Sequence, residues 1–344
     1  MNLFLDETLE LGRDGKQGNL LGIQTYMLAS DYATQETFFE KMDGYLDAAR
    51  QKGWLNPRTV AVLPEYLGSW LIILGEKAQA HQAKTIQQAM RPIVLRNMLP
   101  FMQELLSARE GNRINASIFR IKAVQMAQAY QAVFSKLAAQ YGITIVAGSI
   151  LLPSPSIQDG VIKPGKGALY NVSAVFKPDG QVHPALSVKS FPIASELPFV
   201  ACGSTGNLPV FDTPAGRLGV LVCADSFFPQ AYAQMKSLKA DLLAVPSFST
   251  GKGLWNQSWG DYSGAETPAD VDPADAGRLT EGEAWHKYAL LGRIASAGVK
   301  YGVNVFLHGE LWDLEAENSP SILVKGQEWV ESVATRGALL NLWL

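Results

Sequence analysis

The sequence predicts an α/β fold in which helices cover largely buried sheets. Apolar runs of strand length, such as residues 59–63, 169–176 and 218–222, recur along the chain, and segments with apolar residues at helical spacing alternate with them. Near-continuous rather than alternating apolar character marks strands covered on both faces. With 344 residues, 47% hydrophobic and 18% charged, the chain can bury a large core, and no change of composition separates two independent ones. The expectation is one domain over residues 1–344 with a helical insertion at about 71–133.

Each element follows from local pattern. After a polar lead, residues 22–28 read as a first strand. A helix over 35–51 places Phe38, Met42, Tyr45, Leu46 and Ala49 on one face. Asn56-Pro57 breaks the chain before the β-branched run 59–63, which delivers Glu65 at a strand exit. From residue 68 to about 135 helix formers dominate, interrupted by Pro92 and Pro100, and no strand pattern appears. Ile93, Val94, Leu95, Met98, Leu99, Phe101, Met102, Leu105 and Leu106 make this stretch strongly apolar. Its apolar face is expected to pack on its own domain, the alternatives being a lid over the pocket, a partner contact or a lipid contact. A helix at 134–140, a strand at 143–150 and a strand at 169–176 follow, and Pro178-Asp179-Gly180 turns the chain into the next strand. Residues 217–223 form an apolar strand that ends at Cys223. A helix at 228–239, opened by Pro229, and a strand at 241–246 come next. The long loop 247–281 carries Trp255, Trp259 and Tyr262 as candidate pocket aromatics, ahead of a helix at about 283–301 and a strand at 303–308.

Composition narrows the function. A formal charge of −3 and a pI near 5.9 give no basic field for a phosphate backbone, so nucleic acid is not an expected partner. No apolar run approaches the roughly 20 residues of a bilayer-spanning helix, and no membrane span is expected. Acids near the N-terminus stand where a secretory signal would be basic, so the chain reads as cytoplasmic. Two cysteines, Cys202 and Cys223, are too few for a disulfide framework and lack zinc-site spacing. His81, His183, His286 and His308 show no metal-ligand spacing, and Gly251-Lys252-Gly253 lacks the rest of a phosphate loop.

Three reactive residues fall in or just after strand-like runs: Glu65, Lys189 and Cys223. In α/β folds, sites collect at strand ends, where partial desolvation shifts pKa values toward catalytic use. Their chemistry is mutually consistent. A thiol needs help to act as a nucleophile at neutral pH, and Lys189 supplies a positive neighbour while Glu65 takes the proton and later returns it to a leaving amine. The oxyanion then falls to the Lys189 ammonium and the backbone N–H of Ala224.

Four segments resemble the nitrilase superfamily of carbon–nitrogen hydrolases. Thr59-Val-Ala-Val-Leu-Pro-Glu65 is similar to its glutamate motif. Tyr170-Asn171, Pro178-Asp-Gly and Val188-Lys189 resemble its lysine block, and Gly216-Arg-Leu-Gly-Val-Leu-Val-Cys223-Ala-Asp225 its cysteine block. Asp241-Leu-Leu-Ala-Val-Pro246-Ser247 resembles the strand that follows. The resemblance implies a four-layer αββα sandwich, a Glu65–Lys189–Cys223 triad, no metal or organic cofactor, and a homodimer or larger homo-oligomer. Glu196 is similar to a second glutamate that positions the lysine or the substrate. The implied activity is hydrolysis of a linear amide or carbamoyl compound through a cysteine thioester. Nitrile hydrolysis, N-acyl transfer and a catalytically silent scaffold are the alternatives. Ala224 and Phe227 depart from the pattern and point to a roomier or more apolar pocket, and the Arg293-Ile-Ala-Ser296-Ala297 segment lacks an acid the family often carries there.

Overall fold

A computed structural model describes residues 2–316 and 319–344. Among the described residues, eight strands form a first sheet whose main path runs Leu5–Leu11, Gly337–Trp343, Asn19–Gln24, Thr59–Val62, Thr144–Val146, Leu169–Phe176 and Val182–Val188, with Ile150–Pro153 also paired to Leu169–Phe176. Six form a second, in the order Val210–Thr213, Gly216–Val220, Leu242–Ser247, Tyr301–Phe306, Ile322–Lys325 and Glu328–Glu331. Parallel pairing joins Asn19–Gln24 to Thr59–Val62 to Thr144–Val146, and Gly216–Val220 to Leu242–Ser247 to Tyr301–Phe306.

The period-2 alternation of strand side chains builds the layers. Leu20, Val60 and Val62 of the first sheet meet Leu218, Val220, Leu242, Ala244 and Val303 of the second in one buried cluster between the sheets. Their neighbours Leu21, Ile23 and Ala61 point the other way, against Phe38, Met42 and Tyr45 of the helix Gln35–Gln51 and Tyr130, Phe134 and Leu137 of the helix Arg113–Tyr141. On the far side, Leu243 and Val245 pack against Tyr232 and Met235 of the helix Pro229–Ser237 and against Leu290 and Ile294. The result is the αββα sandwich that the resemblance implies. Gly22 lies at a close approach of the two sheets: a Cβ there would stand 2.8 Å from methyl groups of both Val303 and Val305.

The helix Gln35–Gln51 has the expected bounds, and its first turn is fixed by Thr34, whose Oγ1 accepts a hydrogen bond from the Thr37 N–H at 3.1 Å. Elsewhere the structure departs from the sequence reading. The polar lead contains the strand Leu5–Leu11. The expected strand at 143–150 is two, Thr144–Val146 and Ile150–Pro153. The helix expected at 134–140 is the last quarter of a single helix, Arg113–Tyr141, that covers the first sheet, while Ala78–His81, Ile86–Arg96 and Met98–Ser107 stand outside the four layers. The apolar face of this outer segment is split: Ile93 and Phe101 are buried, whereas Leu95, Leu99 and Leu106 are largely exposed.

Candidate active site

Four chain segments converge at one end of the sandwich. The strands Thr59–Val62, Val182–Val188 and Gly216–Val220 deliver Glu65, Lys189 and Cys223 beyond their C-terminal ends, and Leu242–Ser247 delivers Phe248. Parallel pairing of Gly216–Val220 with Leu242–Ser247 sets the Cys223 and Phe248 ends side by side in the second sheet, and Glu65 and Lys189 reach the same space from the first. A cavity of about 430 Å³ opens there, and Glu65, Lys189, Glu196, Cys223 and Ala224 all line it.

The glutamate is placed by a close backbone approach. The Leu63 N–H continues the parallel ladder to the Val146 carbonyl at 3.0 Å, and Gly148 then passes so near Pro64 that a Cβ would lie 2.1 Å from its carbonyl oxygen. Gly148 also has φ +67°, so glycine is required there twice over. Ser149 Oγ accepts from the Tyr66 N–H at 2.8 Å and ties down the residue after Glu65. Cys223 itself has φ +52°, a left-handed conformation that costs a non-glycine residue about 1–3 kcal/mol and turns it out of the strand direction into the short helical turn Cys223–Phe227.

Lys189 sits between two carboxylates. Its Nζ donates to Glu65 Oε1 and to Glu196 Oε2, both at 2.7 Å, and the lysine and Glu65 are each 1% exposed. Asn171 Nδ2 donates to Glu65 Oε1 at 2.8 Å, the Tyr66 hydroxyl to Glu196 Oε1 at 2.6 Å, and the Ile193 N–H to Glu196 Oε2 at 2.8 Å. The Cys223 thiol donates to the Phe248 carbonyl, with Sγ 3.7 Å from the oxygen, and interacts with the Glu65 carboxylate. An ammonium has three N–H donors, and the two carboxylates use two of them. These two bonds leave the third N–H over.

Burial pushes Glu65 up to about 7, although the Lys189 charge pulls it down and Glu196 pushes it further up. Burial likewise acts against the charged form of Lys189, but Glu65 and Glu196 hold it well above its usual value. Glu196 is lowered: burial opposes this, and the Lys189 charge overcomes it. The Cys223 thiol is raised, first by burial and then by the Glu65 charge, with Lys189 opposing. Lys189, expected as a positive neighbour of the thiol, does oppose the rise, but burial and the Glu65 charge outweigh it. Two carboxylates share the lysine charge, and the resting group is a thiol whose proton needs a base.

Sequence reading did not assign Asp225. Its carboxylate is fully buried and accepts from the Ser190 N–H at 2.8 Å, the Phe191 N–H at 2.9 Å and the Val222 N–H at 3.3 Å. It thereby staples the segment after Lys189 to the segment before Cys223, and burial raises it to about 7 against those bonds. Tyr66 and Asn171 were also unassigned, although Asn171 is a side-chain amide in the mostly apolar strand Leu169–Phe176. Trp259 and Tyr262 do line the cavity, together with Phe227 and Phe228, so its wall is aromatic as well as apolar. Trp255 stacks on Trp285 instead, and His183 packs edge to face on Phe211. Arg293 finds its acid in the long loop, pairing with Asp270. Among the described residues, no group of three or more His, Cys, Asp or Glu side chains is placed to hold a metal ion, and no helix is long and apolar enough to cross a membrane.

The sequence profile of the carbon-nitrogen hydrolase family matches residues 23–263. The chain belongs to that family. Among solved structures, carbon–nitrogen hydrolases from the nitrilase superfamily share its fold. The amidase of Nesterenkonia sp. superposes with a TM-score of 0.57 at 14% identity, covering 97% of this chain and 92% of that one. A cysteine-to-alanine variant of the amidase from Nesterenkonia sp. AN1 in complex with butyramide gives 0.58 at 14% identity, over 97% and 94%. A further variant of that amidase carries the acetamide moiety of fluoroacetamide added covalently at its active-site cysteine, and superposes with a TM-score of 0.56 at 14% identity over 97% of this chain and 92% of its own. In sequence, the chain is 24% identical over 130 residues to the probable hydrolase YhcX of Bacillus subtilis, 38% of this chain and 22% of that protein. It is 40% identical over 52 residues to the deaminated glutathione amidase of Dictyostelium discoideum, 14% of this chain and 18% of that protein. The matches thus span about a fifth of these curated relatives.

Proposed function

We propose that this carbon-nitrogen hydrolase is an amidase acting on a linear amide, with Cys223 as nucleophile, Glu65 as general base and acid, and Lys189 with the Ala224 N–H as oxyanion donors. The observation that carries this reading is the Glu65–Lys189–Glu196 array buried at the wall of the cavity that Cys223 enters. Glu65 takes the Sγ proton as sulfur attacks the carbonyl carbon, and the negative charge gathers on the carbonyl oxygen. Preorganised donors stabilise that oxygen without moving at the moment of reaction. Collapse of the intermediate breaks the C–N bond while Glu65 returns its proton to the nitrogen, leaving an amine or ammonia and a thioester on Cys223. Water, deprotonated by the same glutamate, then attacks the thioester; the acid departs and the thiol is restored. Glu196 holds Lys189 and does not take part in the proton transfers. A covalent adduct at the cysteine of a structural neighbour supports the cysteine route.

Turnover of a panel of linear amides and nitriles, followed by intact-mass detection of the acyl-enzyme, tests the proposal. An acyl group on Cys223 that water releases, with at least about 10⁴-fold loss of kcat/KM in Cys223→Ala, is the expected result. Release only on adding an amine acceptor would replace hydrolysis by acyl transfer. Neither turnover nor adduct with any compound would leave the scaffold reading.

A further inference from the structure

Beside the site lies a second, larger chamber of about 690 Å³, and Tyr66, Trp70, Ile86 and Phe199 line both. The remainder of its wall comes mainly from the outer helical segment and the start of the helix Arg113–Tyr141, including Met90, Val94, Ile118 and Phe119. Among the described residues of that wall, Arg91 is the one charged side chain. We propose that this chamber holds the unbranched apolar tail of the substrate, so that the enzyme prefers amides bearing a medium-length or long alkyl chain over short ones. The inference rests on the amidase reading of the adjoining site.

Three features support it. Each space falls within the range of about 300–1,000 Å³ that small-molecule sites occupy, so an extended ligand can fill both. An open apolar chamber of this size presents hydrophobic surface to water, and an alkyl tail covers that surface. The partition between the two spaces is tied to the reactive array: the Tyr66 hydroxyl donates to Glu196, the carboxylate that holds Lys189, and the ring of Tyr66 stacks on Trp70 at 5.9 Å. A tail in the second chamber would therefore lie against the same ring whose hydroxyl orders the lysine. The chamber also opens outward at Leu95, 69% exposed, and Ile114, 57% exposed, which leaves room for chains longer than the cavity.

The shared chemistry is the alkyl tail, which can belong to the acyl part or to the amine part of the amide. Two substrate series separate these: primary alkanamides from propanamide to decanamide, and N-alkyl acetamides of the same lengths. Full burial of a methylene corresponds to up to about fourfold in kcat/KM, so one series is expected to rise steeply with length. Val94→Trp, which fills the chamber from a half-buried position, is expected to cut the decanamide-to-propanamide ratio, or its N-alkyl counterpart, at least tenfold. A flat or falling dependence in both series, or a ratio unchanged by Val94→Trp, overturns the proposal. Titration of Cys223→Ala with decanamide and with propanamide, read by tryptophan fluorescence, tests the chamber without chemistry. Tighter binding of decanamide that Val94→Trp abolishes supports the tail site even if no amide is turned over, in which case the amidase reading alone fails. Equal binding of both amides overturns the tail site even if propanamide is hydrolysed.

Discussion

At the scale of single residues, the array is an arrangement of charge as much as of shape. Two carboxylates and one ammonium share a nearly dry wall, and a thiol faces them. Because burial and Glu196 raise Glu65 to about 7, its basic form is half populated near neutrality and is lost as pH falls. The acid limb of kcat/KM is therefore expected near pH 7, with activity rising through it to a plateau on the alkaline side. Glu65→Gln should lower kcat and remove that limb; a limb unchanged in Glu65→Gln would assign it to another group. The placement of these side chains was legible in the sequence because Glu65 and Cys223 each end an apolar run, and Lys189 follows one. The buried partners were not legible in the same way. Asp225 acts only through backbone N–H groups of residues 190, 191 and 222, and a side chain that bonds to backbone leaves no complementary residue type to find.

At the scale of elements, the site depends on loops whose course is fixed by contacts between strands. Gly148 is the clearest case. Sequence pattern reads 143–150 as one strand, since every residue except Gly148 and Ser149 is apolar or β-branched, yet the chain leaves the ladder at Ala147 to pass beneath Pro64. A bend forced by a neighbouring backbone is a tertiary event, and local propensity does not report it. Gly148→Ala is expected to cost about 1–3 kcal/mol in stability from the left-handed φ, measured by denaturant unfolding. It should also lower kcat, because the clash with the Pro64 carbonyl displaces the residue next to it, Glu65. A stable variant with full activity would show that the loop adjusts without moving the base. The outer helices illustrate the converse: their helix-forming composition predicts helix correctly, but composition alone does not say whether a chamber or a core lies beneath. Leu95 and Val94 are adjacent and both line the chamber, yet Leu95 is largely exposed while Val94 is half-buried.

For the whole molecule, the two sheets and their covering helices were legible because buried parallel strands carry continuous apolar sequence. The edges were not. In Leu5–Leu11 three leucines are spaced among Asp6, Glu7, Thr8 and Glu10, with Glu7 breaking the alternation, and so few apolar residues do not stand out from a polar lead. The closeness of the sheets at Gly22 gives a global test. Gly22→Val would press new methyl groups onto Val303 and Val305, and a loss of about 1–3 kcal/mol, read as a lower Tm, is expected; no loss would mean that the sheets part easily. The strand Gly337–Trp343 lies between Leu5–Leu11 and Asn19–Gln24, parallel to the one and antiparallel to the other. During synthesis on the ribosome, the strands that carry Glu65, Lys189 and Cys223 emerge long before this one. The first sheet keeps two unpaired edges, those of Leu5–Leu11 and Asn19–Gln24, until Gly337–Trp343 has emerged, so an interval of edge exposure is built into the order of the chain.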